Sequence, residues 1–302
     1  MSTSSETDLD GRVCVVAGGG NGIGEAAAHS LAEAGATVLV NDLGTSVHGE
    51  GESPDAAESV AAAIREDGGD ATAHFGDVTD LDYAASLVEA AVSTHGRLDC
   101  VANFAGIIRD RFATNLSGED WDEVVRVNLR SNFALLRAAA RHWREAAEGE
   151  ALSPQRSFLA VTSRGALGNV GQLNYCTSKA GVLGFVRSAS SELYSTGVRV
   201  NALMPSGYSR MTETVPEEHR PYTREEMPPE KVGPTAAFLA SDAATDVTGV
   251  TVYAGGDRVA IYSDPEPVRQ AIRPGGWTPE ALAESFGDLA EGVELTRTER
   301  YL

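Results

Sequence analysis

A doubly wound α/β fold, a single domain around one parallel sheet of about seven strands, is what this sequence predicts, on three observations. Short Val/Ala/Leu runs alternate with longer Ala-rich amphipathic stretches from Val13 to about Val252, with no low-complexity linker between them. The first apolar run leads directly into the glycine cluster GGGNGIG at residues 18–24. Later apolar runs end in Asp, Asn, Ser or Thr, at the strand ends that an open parallel sheet turns towards a ligand. With 302 residues, of which 42% are hydrophobic and 32 are glycine, the chain can bury a sizeable core. The expected division is a flexible segment over residues 1–10, the α/β domain over 11–260 and a C-terminal extension over 261–302.

Residues 11–17 read as the first strand. Gly18, Gly22 and Gly24 then permit a tight turn, close approach of backbone to a pyrophosphate, and close packing of the helix that follows, with phosphate charge over its N-terminus. The second strand, 36–42, ends in Asp42, 18 positions after Gly24. A carboxylate there hydrogen-bonds the adenosine ribose hydroxyls and repels a 2′-phosphate; neither Asn21 nor Leu43 and Gly44 supplies a cation for one. NAD is therefore expected rather than NADP. Residues 43–54 are rich in Gly, Ser and Glu and long for such a connection, so a mobile surface excursion is expected.

A helix over 55–65 precedes the third strand, 69–78, whose end, Asp77 and Val78, is placed to meet the adenine. After a helix over 81–94, the fourth strand, 98–102, runs into Asn103-Phe104-Ala105-Gly106, where small residues leave space beside a cofactor. The loop Ile107-Ile108-Arg109-Asp110-Arg111 concentrates cations next to that strand end. Residues 121–144 form a long amphipathic helical region with Asn128 near its middle. An amide there is either a packing residue or the mark of a backbone distortion that offers a carbonyl to a water chain.

The apolar run 158–161 is a buried strand ending at Thr162 and Ser163, which lie 13 and 12 residues before Tyr175. Tyr175 and Lys179 stand at i and i+4 on the next helix, one above the other on a single face. An ammonium beside a phenol favours the phenolate, which lowers the phenol pKa and tunes it as an acid/base. Residues 197–203 give a sixth strand, broken by Pro205. The charged segment 212–234, with five prolines, is a candidate substrate lid. A helix over 235–241 and a final strand over 250–253 complete the domain.

Composition narrows the partners. A formal charge of −20 opposes binding to nucleic acid or anionic membranes. Only Lys179 and Lys231 are lysines, and so acidic, lysine-poor a chain resembles proteins from a salt-rich cytoplasm, where screening relieves self-repulsion. Cys14, Cys100 and Cys176 lack metal-ligand spacing and are expected as free thiols, and no metal is expected. The start of the chain lacks a signal-peptide apolar region, and no run approaches the ~18 apolar residues of a membrane span. A cytoplasmic location is expected.

Taken together, Gly18-x-x-x-Gly22-Ile23-Gly24, Asp42, Asp77, Asn103-x-Ala105-Gly106, Asn128, the Ser/Thr hydroxyl, Tyr175-x-x-x-Lys179 and the Pro205 segment stand in the order of the short-chain dehydrogenase/reductase family, which the chain resembles over roughly residues 10–260. The resemblance implies a Rossmann-type fold and NAD(P)-dependent hydride transfer. It implies Tyr175 as general acid/base, Lys179 on the nicotinamide ribose, a hydroxyl orienting the substrate oxygen, and Asn128 completing a proton relay. It further implies cofactor contacts from Gly18, Gly20, Asn21, Gly22, Ile23, Gly24, Asp42, Asp77, Val78, Asn103, Ala105, Gly106, Pro205, Ser209 and Met211, as well as Tyr175 and Lys179. Two positions depart from the pattern. Ala17 stands where the glycine motif usually has Thr, and the usual serine position, 13 before the tyrosine, holds Thr162; Ser163 fits if the loop is one residue shorter. Both hydroxyls remain candidates.

Segments mostly outside that shared set, including Val40-Asn41-Asp42-Leu43-Gly44, residues 106–111 and Ser209-Arg210-Met211-Thr212, are similar to a (3R)-hydroxyacyl-CoA dehydrogenase subfamily with a C-terminal extension. That similarity makes a 3-hydroxyacyl-CoA/3-oxoacyl-CoA pair the expected substrate, with Arg109, Arg111 and Arg210 available for CoA phosphates; a steroid, a sugar or a simple alcohol is the alternative. The rival from another class is a non-catalytic NAD-binding protein, which the intact Tyr175, Lys179, Asn128 and adjacent hydroxyl argue against. Family likeness also implies a homodimer or homotetramer assembled through the Tyr175 helix.

Overall fold

A computed structural model describes residues 5–293. The first half runs β1 (Val13–Ala17), α1 (Gly22–Glu33), β2 (Thr37–Asp42), α2 (Asp55–Glu66), β3 (Asp70–Phe75), α3 (Leu81–His95) and β4 (Cys100–Asn103). Then come α4 (Gly118–Val125), α5 (Ser131–Ala147), β5 (Arg156–Val161), α6 (Leu173–Leu193), β6 (Val198–Pro205), α7 (Arg210–Glu213), α8 (Gly233–Ala240), β7 (Thr251–Gly255), β8 (Arg258–Tyr262) and α9 (Pro279–Leu289). Strand order is β3-β2-β1-β4-β5-β6-β7-β8. Chain direction across the sheet reverses between β1 and β4, so the crevice of a doubly wound fold opens above their carboxyl ends.

Strand residues are apolar on both sides because helices cover both faces. Val15, Ala17 and Val101 pack with Leu135, Ala139 and Trp143 on one side. Cys14, Val16, Val38 and Val40 pack with Leu31, Val60 and Ile64 on the other. The sheet has eight strands rather than about seven. β8 pairs antiparallel with β7 through a short turn in which Gly256 has φ 55°. Its Val259 and Ile261 are exposed, so the periodic burial signal that marks the other strands is missing there.

Three further expectations change. Residues 5–10 are docked rather than flexible: Leu9 is fully buried, its amide donates to Ala34 O (2.8 Å), and Glu6 O accepts from the Ala243 amide. Residues 1–4 lie outside the described set. The third strand stops at Phe75, because Gly76, at φ 156°, sits where a side chain would run into the Tyr83 ring. Of the two readings of Asn128, the packing residue gives way to the backbone distortion: a π-helical turn, Arg126–Arg130, divides the helical region over 121–144 into α4 and α5. Such turns leave backbone groups out of the regular ladder and often mark functional positions.

Contacts divide the chain after Tyr262. In the second unit, α9 is capped by the Thr278 hydroxyl accepting from the Ala281 amide, and Arg273 lies over the Trp277 ring at 5.9 Å. Among the described residues no helix is long and apolar enough to cross a membrane.

Candidate active site

The carboxyl ends of β1, β2, β4, β5 and β6 surround one crevice. Its floor is the glycine turn after β1. Gly18, at φ 70°, passes so close to β4 that a Cβ would lie 2.4 Å from the Ala105 amide nitrogen; only glycine fits. Asn21, Gly22, Ile23 and Gly24 line the crevice at the start of α1, whose dipole suits a phosphate; here the Gly22 amide donates to Glu25 Oε2 (3.1 Å). Gly20 is held back from the opening, its amide donating to Asp42 Oδ2 at 2.9 Å.

Asp42 ends β2 with its carboxylate clasped by the amides of Gly20 and Gly44 (2.7 Å to the latter), which fixes its direction at the crevice wall. Asp77 and Val78 line the next stretch. Although burial alone would raise it, the Arg126 guanidinium, 2.6 Å from Asp77 Oδ2, and the Thr79 amide hold the Asp77 carboxyl below its ordinary value. Arg126 also pairs with Glu123 and lines the crevice. Sequence reasoning missed it, because its partners lie 49 residues upstream and three residues away on a helix that gave no site signal.

Ala105 and Gly106 reach the crevice, but Asn103 does not. Asn103 is buried, its amide group donating to Ser131 Oγ (2.8 Å) while its Oδ1 accepts from the Ala105 amide. Its bonds shape the turn that carries Ala105 and Gly106. Asn128 lies in the π turn with no exposed surface and clamps Ile107 at both ends, accepting from its amide (2.8 Å) and donating to its carbonyl (3.0 Å). A Cβ on Gly106 would lie 3.3 Å from Asn128 Oδ1 and 3.6 Å from Lys179 Nζ, so glycine there leaves the two groups open to each other.

The two candidate hydroxyls separate cleanly. Thr162 is buried and donates to Lys179 O (2.8 Å), tying β5 to α6. Ser163, the next residue, points to the other side, as strand alternation requires, and its hydroxyl lies on the crevice wall with the Tyr175 phenol, where it favours the phenolate. Ser163 Oγ also accepts from the Gly165 amide at 3.1 Å. Thr162 therefore anchors the helix, and Ser163 alone of the pair faces the phenol.

Tyr175 and Lys179 share one face of α6, with Lys179 Nζ 5.8 Å from the tyrosine ring centre. Lys179 donates to Val161 O at 2.9 Å. The expected lowering of the phenol pKa is absent from this state of the site. Burial outweighs the effect of the Ser163 hydroxyl and pushes Tyr175 up to about 12, and burial brings Lys179 down to about 8. Each buried group resists its charged form, and Lys179 spends its hydrogen bond on a neutral carbonyl.

A stability test follows from Lys179. Its folded pKa lies below its ordinary 10.5, so the unfolded chain binds the extra proton between about 8 and 10.5. The penalty is complete below about 8 and fades as pH rises to 10.5. Lys179→Met should therefore raise the Tm most at neutral pH, by up to ~3 kcal/mol of stability, and the advantage over wild type should vanish above pH 10.5 in melts at fixed salt. An advantage independent of pH would contradict the assignment.

The three loop arginines are not equivalent. Arg109 Nε donates to His48 O (2.9 Å) and its Nη1 faces Asp120. Arg210 Nη1 donates to Thr45 O (2.9 Å) from the crevice rim. Arg109 is thereby committed on two sides, whereas Arg210 holds the 43–54 segment through one of its donors. Arg111 is exposed, its Nη1 donating to the carbonyl of Asp110 (2.8 Å). Pro205, Ser209 and Met211 line the end of the crevice near Tyr175. Tyr222, from the proline-rich segment, also lines it; burial raises its phenol pKa. The segment that carries Tyr222 has no periodicity to announce an inward-facing side chain.

Comparison with known proteins agrees with this geometry. Residues 17–256 match the family model described as enoyl-(acyl carrier protein) reductase. The chain is 39% identical over 248 residues to peroxisomal multifunctional enzyme type 2 of Mus musculus, a match covering 82% of this chain but only 32% of that protein. It is 36% identical over 297 residues to hydroxyacyl-CoA dehydrogenase ChsB1 of Mycobacterium tuberculosis, covering 96% of this chain and 92% of that one. Among solved structures, a short chain dehydrogenase from Mycobacterium avium superposes with a TM-score of 0.81 at 37% identity, covering 94% of this chain and 96% of that chain.

Proposed function

Because this chain belongs to the short-chain dehydrogenase/reductase family, oxidoreductases that work with a nicotinamide cofactor, we propose that it is an NAD-dependent enzyme interconverting a 3-hydroxyacyl thioester and its 3-oxoacyl form. The observation that carries the reading is the convergence of Ser163, Tyr175 and Lys179 at the crevice beside the glycine turn. The substrate class is supported by the names of relatives, hydroxyacyl-CoA dehydrogenase and 3-oxoacyl-[acyl-carrier-protein] reductase.

The residues present fit the dinucleotide. Gly18 and Gly22 to Gly24 would take the pyrophosphate, Asp42 the adenosine ribose, Asp77 and Val78 the adenine, and Lys179 the nicotinamide ribose. Pro205, Ser209 and Met211 would close the nicotinamide end. The bound nicotinamide supplies or accepts a hydride at C4. In reduction, the protonated Tyr175 phenol gives its proton to the ketone oxygen, which the Ser163 hydroxyl holds in place. In oxidation the same oxygen returns that proton to Tyr175. Lys179 would pass protons towards the tyrosine, and Asn128, whose side chain is committed to Ile107, would join such a relay through its π-turn carbonyl.

Arg111 is the exposed loop cation for an anionic substrate portion. Assembly as a homodimer or homotetramer in the cytoplasm completes the reading, with Leu173 on α6 and Phe133 on α5 as exposed apolar residues for the contact. The test is NADH oxidation in molar salt with a 3-oxoacyl-CoA chain-length series, the matching free ketones, and NADPH controls. Strong activity confined to thioesters supports the assignment. Turnover confined to free ketones keeps the dehydrogenase and removes the acyl-CoA substrate.

A further inference from the structure

Residues 43–54, expected as a mobile excursion, instead form a pinned strap over the cofactor crevice. The neck closes where the Ser53 amide donates to Leu43 O (3.1 Å), and a turn follows in which the Ser46 amide donates to Glu50 O (2.8 Å). Thr45, Ser46, Val47 and Gly49 line the crevice, and because β1 lies between β2 and β4 in the sheet, a segment that leaves β2 and fastens beyond β4 crosses the glycine turn. The tip is then fastened to two elements other than its own. On the β4 side, the Ile108 amide donates to Val47 O (3.0 Å), His48 Nδ1 meets Ile108 O (2.9 Å) and Arg109 Nε donates to His48 O. From α7, Arg210 Nη1 donates to Thr45 O. Val47 packs into the apolar cluster that contains Ile107, Ile108 and Tyr175.

We propose that the strap 43–54 is a gate that encloses the dinucleotide, and that Arg109 and Arg210 are positioning residues that hold it shut by gripping its backbone from opposite sides. The inference rests on the nicotinamide-cofactor reading but not on the identity of the substrate. A dinucleotide spanning from Asp42 to Tyr175 lies beneath this strap, so entry and exit both require it to lift. Lifting breaks the bonds at Thr45, Val47 and His48 together, and each such bond shifts an opening equilibrium by roughly three- to ten-fold. Loops of this kind open on slow timescales and commonly make release slower than chemistry.

The signature of a gate is kinetic symmetry. A residue that touches the cofactor changes its dissociation rate, whereas a residue that holds a gate shut slows entry and exit alike. NADH binding and its displacement by excess NAD, followed by NADH fluorescence in stopped flow, should give association and dissociation rates that both rise about 10- to 100-fold in the Arg109→Met, Arg210→Met double variant. The Kd should move by less than about threefold. Arg210→Lys, which keeps one donor, should recover part of the wild-type slowness. Amide hydrogen exchange across 43–54 in the cofactor-free protein should accelerate in the same double variant, a readout independent of turnover. Unchanged rates, or faster dissociation without faster association, would overturn the gate. Failure of wild-type protein to bind NADH at all would instead overturn the cofactor reading on which it stands.

Discussion

Tyr175→Phe is expected to lower kcat for ketone reduction by roughly 10²- to 10⁴-fold, the range set by loss of a general acid, while NADH affinity stays near wild type. The phenol oxygen is the only part removed, and the ring remains in its buried place beside Lys179 and Val47. With the hydroxyl gone, Ser163 still holds the substrate oxygen but no proton arrives as the hydride does. Fluorescence titration with NADH and steady-state turnover, measured on the same preparation, check the two halves. A variant that binds NADH and turns over normally would remove Tyr175 from the mechanism. One that neither binds nor turns over would point to a structural role.

The pH dependence adds a direction to this test. A phenol at about 12 remains protonated through the neutral range, so the site stands ready as an acid. Lys179, at about 8, loses its charge just above neutrality. Ketone reduction is therefore expected to hold to about pH 8 and decline above it, as the charge that stabilises the developing phenolate disappears. Oxidation needs the phenolate from the start and should be favoured by rising pH.

The second large effect concerns the choice of cofactor. Asp42 presents a carboxylate fixed by two backbone amides where an adenosine ribose would lie. Unit charges ~5 Å apart at an effective dielectric of ~20 interact by about 3 kcal/mol, so NADH should be preferred over NADPH by at least roughly 100-fold in kcat/KM. Asp42→Ala should shrink that ratio to below about tenfold, chiefly by losing the ribose contact to NADH and removing repulsion towards NADPH. If wild-type protein used both cofactors equally, the NAD assignment would fail. If the ratio survived in Asp42→Ala, discrimination would lie with another residue.

Most of the frame was legible from the chain alone because its signals are local. Strand, glycine turn and helix at residues 13–33, the acidic end of β2, and the i, i+4 pair Tyr175 and Lys179 depend on near-neighbour spacing and periodicity. The missed strand β8 lies at a sheet edge with Val259 and Ile261 exposed, where the alternation that reports burial is weakest.

Tertiary structure alone decided the rest. Which of Thr162 and Ser163 faces the phenol depends on where β5 ends and which side the chain then presents, a matter of one residue in a loop. Asn103, part of a family motif, turned out to brace Ser131 because its strand brings it under the π turn. Arg109 and Arg210, expected at CoA phosphates from a subfamily likeness, donate to backbone carbonyls 61 and 165 residues distant in sequence, partners that no local spacing announces. The pKa of Tyr175 could not be read from Lys179 at i+4, because burial is a sum over everything packed around the ring. The sequence by itself determined the chemistry available, through residue types at local spacings. The fold decided which of those groups are free to use it, because hydrogen-bond partners and desolvation come from residues distant in the chain.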